Sequence, residues 1–93
     1  MSREIKHTRQ FKKDVKLMAR QGRELKPLFD VVEMLQNDIP LPPELKDHPL
    51  VGNWRGKREC HIEPDWLLIY EKTDSLLLLT LIRTGTHSGI LDL

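Results

Sequence analysis

The sequence predicts one α+β domain: a short N-terminal strand, a two-helix hairpin, and an antiparallel meander sheet that the hairpin covers on one face. Three observations predict it. Apolar residues recur at helical spacing through the first 39 positions, prolines crowd the stretch that follows, and three strand-like runs separated by short polar turns fill the rest. The 93 residues fit a single domain spanning 1–93, long enough for one core and no second.

Each element has a local reason. Glu4 to Thr8 alternates and reads as a strand, and Thr8 can cap a helix that begins after it. Phe11, Val15 and Met18 then share one helical face, with Lys12, Lys13, Lys16 and Arg20 elsewhere, and Gly22 is a natural stop. Leu25, Leu28, Phe29, Val32, Leu35 and Ile39 give a second buried stripe, with Pro27 tolerated in the first turn. "DIPLPPELKDHPLVGNW" holds Pro40, Pro42, Pro43 and Pro49 and is expected to be irregular. Strands are expected over about Arg55 to Ile62, Trp66 to Lys72 and Ser75 to Arg83. The second is almost continuously apolar, as a central strand is. Glu63-Pro64-Asp65 and Thr73-Asp74 are the expected turns.

Composition excludes several classes. A hydrophobic fraction of 39% with 31% charged residues is that of a folded chain rather than a disordered one. A single cysteine, Cys60, rules out an internal disulfide and favours the cytoplasm. The polar start "MSREIKHTRQFKK" lacks the apolar core of a signal peptide, and no apolar run, Leu76 to Leu79 and Trp66 to Tyr70 included, is long enough to span a bilayer, so no membrane association is expected. The net charge of +1 conceals nine Lys or Arg against three acids in Met1 to Lys26. That suits a polyanionic partner, though taken alone a solvated helix face is the better explanation.

Strand pairing concentrates chemistry. With a two-residue turn at Thr73-Asp74, Lys72 faces Ser75, Trp66 faces Leu81, and Arg83 arrives beside Pro64 and Asp65. The other hairpin brings His61 to the same end, and His87 follows Arg83 in "RTGTHSG". These residue types suit RNA cleavage by the substrate's own 2′-OH. Histidines exchange protons near neutral pH, an arginine fork holds phosphate, and a carboxylate orients an imidazole. Trp66 or Trp54 can stack an unpaired base. Lys12, Lys13, Lys16 and Arg55 are candidate RNA contacts. Cys60 alternates with His61 and is expected to face the helices, and His7 is expected to be structural or exposed. His61, Glu63 and Asp65 lack a recognised metal-ligand spacing, so neither metal nor cofactor is expected.

"KDHPLVGNWRG", "HIEPDWLLIY" and "RTGTHS", together with "FKKDVK" and "IPLPPELKDHPL", closely resemble the YafQ-type branch of the RelE/ParE superfamily of bacterial type II toxins, over nearly the whole chain. The resemblance implies a compact RelE-like RNase fold and ribosome-dependent, metal-independent cleavage of mRNA in the decoding site of the 70S ribosome. It implies a cognate antitoxin, usually a ribbon-helix-helix protein that wraps the toxin, with operator DNA bound only through that complex. The family's site falls on His48, His61, Asp65, Trp66, Arg83 and His87. His87 is then the general acid, His48 or His61 the base, Arg83 the phosphate clamp and Asp65 the orienter. Two positions depart from the pattern. Glu59 stands where an aspartate is expected, and the longer carboxylate is expected to shift out of the site. Ile90 and Leu91 stand where a phenylalanine is expected, which removes a stacking group from the tail. Two rival readings are a ParE-like toxin that inhibits gyrase, which would not need three histidines and Arg83, and a plain RNA- or protein-binding domain, which only activity separates from a nuclease.

Overall fold

The computed structural model describes residues 2–90, with the side chains of His87 and Ser88 excepted. The strands are β1 (Glu4–His7), β2 (His48–Pro49), β3 (Arg58–Glu63), β4 (Trp66–Thr73) and β5 (Leu78–Gly85), and the helices are α1 (Arg9–Arg20), α2 (Lys26–Gln36) and α3 (His87–Ile90). The sheet order is β1-β5-β4-β3-β2. β1 runs parallel to β5 and every other pair is antiparallel, so the expected α+β meander is present with one parallel edge added.

The first helix begins where its cap dictates. Thr8 Oγ1 accepts the Phe11 N–H (3.0 Å) while its own hydroxyl donates to the Ile82 carbonyl (2.7 Å), which fixes α1 to β5. Gly22, at φ 78°, takes the left-handed turn between the helices. In α2 the buried stripe is Leu28, Val31, Val32 and Leu35. Phe29 and Ile39, expected inside, are exposed. Phe29 lies one residue, about 100°, around the helix from Leu28, and Ile39 follows Asp38, whose positive φ of 56° has already turned the chain away.

β4 is apolar from Trp66 to Tyr70 because both its faces are covered there. Trp66, Leu68 and Tyr70 join Cys60, Leu79, Leu81 and the helices in the main core. Leu67 and Ile69 pack on the opposite face beneath Leu50, Trp54, Ile82 and Ile90. The proline-rich stretch is less irregular than expected. It contains short 3-10 turns at Pro43–Leu45 and Gly52–Trp54 and, between them, β2. Proline is tolerated there because β2 is an edge strand.

Buried Arg3 clasps the chain ends of three elements. Its Nε donates to Asp38 (2.8 Å), its Nη2 to Asp74 (2.5 Å), and its Nη1 reaches the Thr73 and Leu78 carbonyls (3.3 and 3.4 Å). Lys72 also donates to Asp38 (3.0 Å). The hydrogen bond from Arg3, then that from Lys72, holds the Asp38 carboxyl below its usual range. A depressed folded pKa stabilises the fold above the unfolded value of about 3.9, and that stabilisation is lost as pH falls through the folded one. Asp38→Asn should therefore lower Tm near neutral pH and narrow the difference between Tm at about pH 7 and about pH 2.5. An unchanged difference would remove Asp38 from the acid response.

Candidate active site

Glu59 and His61 stand two residues apart on β3. The pleat places both on the face away from the helices and sends Cys60, between them, into the core. Burial pushes the Cys60 thiol up to about 12, so it packs as a small hydrophobe and is no nucleophile. His48 pairs directly with Glu59 across the β2–β3 ladder. The result is a carboxylate between two imidazoles: Glu59 Oε1 lies 3.1 Å from His48 Nε2 and 3.3 Å from His61 Nε2. The Glu59 side chain is 4% exposed. Its Oε2 is buried with no hydrogen-bond partner among the described residues. An orphaned buried oxygen costs about 1–3 kcal/mol, and such costs are retained where function requires them.

The two histidines are not equivalent. Both ring nitrogens of His48 face oxygen, since Nδ1 lies 3.0 Å from the Pro49 carbonyl. His61 Nδ1 makes no hydrogen bond among the described residues, and His61 borders an open pocket of about 370 Å³ with Leu45, Ile62 and Pro64. A carboxylate at Nε2 favours the tautomer that carries its hydrogen there, which leaves the Nδ1 lone pair to take a proton.

Glu59 thus occupies the position expected for Asp65. Asp65 is 71% exposed on the β3–β4 turn and faces Arg23 Nη2 at 3.9 Å, while Glu63 takes Arg23 Nη1 at 3.3 Å. Neither approaches the imidazoles in the way Glu59 does. The alternation that places Cys60 inward also places Glu59 beside His61, and that signal was present in "RECHIE". The donor atoms of His48, Glu59 and His61 lie within 4.8 Å of one another and can reach a single metal ion. No sequence spacing announces that trio, because it depends on β2 pairing with β3.

Arg83 is displaced from its expected place. The β4–β5 connection is the four-residue turn Asp74–Leu77 rather than two residues, and an extra residue at Ile82 bulges β5. Trp66 therefore does not face Leu81, which pairs with Tyr70, and Arg83 pairs with Ile69 instead of reaching Pro64 and Asp65. Glu59 also pairs with Ile69, so Glu59 and Arg83 flank one residue, two strand spacings or about 10 Å apart. Arg83 is held by Asp14 of α1, which accepts Nε (2.8 Å), Nη2 (3.2 Å) and the Thr84 N–H (3.1 Å). Asp14 was not foreseen as buried, because an acid on a helix face normally meets water.

Trp66 is no stacking platform in this fold. It is 1% exposed and its Nε1–H donates to Thr84 Oγ1 (2.9 Å), whose hydroxyl donates to the Leu67 carbonyl (2.8 Å). Trp54 is partly buried on the second face. Lys12, Lys13, Lys16 and Arg55 are exposed, as is His7, which stacks 6.4 Å from the Phe11 ring. His87 opens α3, just past the end of β5; its side chain, like Leu91, lies outside the described parts of the chain.

The YafQ family, bacterial toxins of type II toxin–antitoxin systems, matches residues 3–92. The chain belongs to this family. It is 44% identical over 91 residues to the mRNA interferase toxin YafQ of Escherichia coli strain K12, and the match spans 97% of each chain. Its fold follows that of E. coli YafQ in the DinJ-YafQ toxin–antitoxin complex, with a TM-score of 0.87 and 44% identity over 97% of this chain and 98% of that one. A metal-bound toxin from Helicobacter pylori is similar at a TM-score of 0.89 and 41% identity, over 95% of this chain and 98% of the other.

Proposed function

We propose that this YafQ-family toxin is an endoribonuclease that cleaves mRNA on the ribosome and so stops translation. The observation that carries the proposal is the His48–Glu59–His61 cluster on the sheet face, in a chain so similar to an mRNA interferase. His61 takes the proton of the 2′-OH at Nδ1 while Glu59 fixes its tautomer. The freed 2′ oxygen attacks the adjacent phosphorus, the bond to the 5′ oxygen breaks, and His87 supplies that oxygen's proton. Arg83, aimed by Asp14, neutralises charge on the phosphorane. Exposed Lys12, Lys13, Lys16 and Arg55 meet ribosomal RNA phosphates. A cognate antitoxin of the ribbon-helix-helix type neutralises the toxin in the cytoplasm, operator DNA being bound only through that complex. Among the described residues, no helix is long and apolar enough to cross a membrane.

The test is single-turnover cleavage of mRNA on programmed ribosomes. No step requires a metal, so EDTA should leave the rate nearly unchanged at magnesium levels that just keep the ribosomes assembled. Added zinc should slow it, because an ion held by both imidazoles removes the lone pair that accepts the proton. A rate abolished by EDTA and restored only by zinc or manganese would replace proton transfer with metal catalysis. Absence of cleavage on ribosomes altogether would overturn the nuclease assignment.

A further inference from the structure

His48 sits on an edge strand of two residues, a poor foundation for an imidazole that must meet Glu59. Its own ladder is short: His48 pairs with Glu59 and Pro49 with Arg58, and Pro49 has no N–H to give. The next backbone bond, Leu50 N–H to the Lys57 carbonyl, is 2.9 Å. On the other side the chain leaves through Lys46, which is in a left-handed conformation at φ 51°.

The missing anchor is the preceding residue. Asp47 and His48 point to opposite faces of the sheet edge, as successive strand residues do. Beneath the sheet, the buried Tyr70 hydroxyl donates to Asp47 Oδ1 (2.5 Å), and Arg58 donates from Nε (3.3 Å) and Nη2 (3.2 Å) to the same carboxylate. Arg58 and Tyr70 are themselves cross-strand partners on β3 and β4, so the clamp ties the edge to the central strand. Burial, and then the bond to Asp47, raises the Tyr70 phenol well above its usual range, so it stays a donor at any working pH.

We propose that Asp47, gripped by Tyr70 and Arg58, is the positioning residue for His48: it locks the edge strand from below so that the next side chain meets Glu59 above. The proposal rests on the nuclease reading for its kinetic consequence, but its structural consequence can be measured without it. Tyr70→Phe removes one oxygen from a buried ring and spares the packing. Asp47→Ala removes the grip entirely.

Two readouts on the same preparations separate positioning from simple stability. The imidazole ¹⁵N resonances of His48, assigned with a His48→Gln control, should move in Tyr70→Phe toward their positions in Glu59→Gln, and move further in Asp47→Ala. Cleavage on ribosomes should fall roughly 10–100-fold in kcat with KM unchanged, because His48 braces the Glu59 carboxylate that sets the His61 tautomer, and losing such an outer partner typically costs that much. Asp47→Asn, which still accepts from Tyr70, should recover part of both. If the His48 resonances stay in place in Tyr70→Phe, the clamp is structural only and the proposal falls, whatever happens to Tm. If they move while the wild-type chain proves not to cleave, the positioning role stands and the nuclease reading falls instead. Should Asp47→Ala fail to fold, Tyr70→Phe alone decides.

Discussion

His61→Gln should slow single-turnover cleavage on ribosomes by roughly 10²–10⁴-fold, the range for one positioned acid or base. Glutamine keeps an N–H donor within reach of Glu59, which lies 3.3 Å from the ring it replaces, but it cannot take a proton near neutral pH. Tm should hold to within a few degrees, because the partly buried side chain is replaced by one of similar reach. His87→Gln should produce a loss of the same size by a different route. The two are separated by a substrate whose 5′-bridging oxygen is replaced by sulfur, a leaving atom that departs without a proton. That substrate should restore His87→Gln and leave His61→Gln slow. The reverse pattern would exchange the two roles. If His61→Gln cleaves within a few-fold of wild type, His48 becomes the base.

The second large effect is on stability. Trp66→Ala should cost about 3–5 kcal/mol, a fall in Tm of more than about 10 °C for a domain this small. The ring fills the main core, its Nε1–H satisfies Thr84, and the Arg23 guanidinium carbon lies 5.1 Å from its centroid. Trp66→Phe keeps most of the packing and loses one buried hydrogen bond, about 1 kcal/mol. Measured per folded molecule, RNA affinity should be unchanged in both. A Trp66→Ala variant with wild-type Tm and weakened RNA binding would return the ring to the RNA and contradict its burial.

Local patterns in the chain set the elements. Thr8 as a cap, Gly22 as a stop, the apolar stripe of α2 and the two-sided burial of β4 are all local patterns, set by hydrogen-bonding and steric preferences within a few residues. The sequence also named His48, His61 and His87, because residue type restricts which side chains can move a proton at neutral pH. Tertiary structure decided which of these groups meet. Arg83 moved from facing Pro64 to facing Ile69, five positions along β4, when the β4–β5 turn proved to be four residues and Ile82 bulged, since strand register depends on turn length and bulges that periodicity does not encode. Asp65 was replaced by Glu59 because the contact with His48 arises only when an edge strand, hidden among prolines, pairs with β3. Asp14 and Asp47 could not be read as anchors from their own neighbourhoods. Their partners, Arg83 and Tyr70, lie 69 and 23 residues away in the chain; a buried carboxylate such as Asp14 persists only where the folded chain delivers donors to it, and the donors that hold the partly exposed Asp47 come from two other strands.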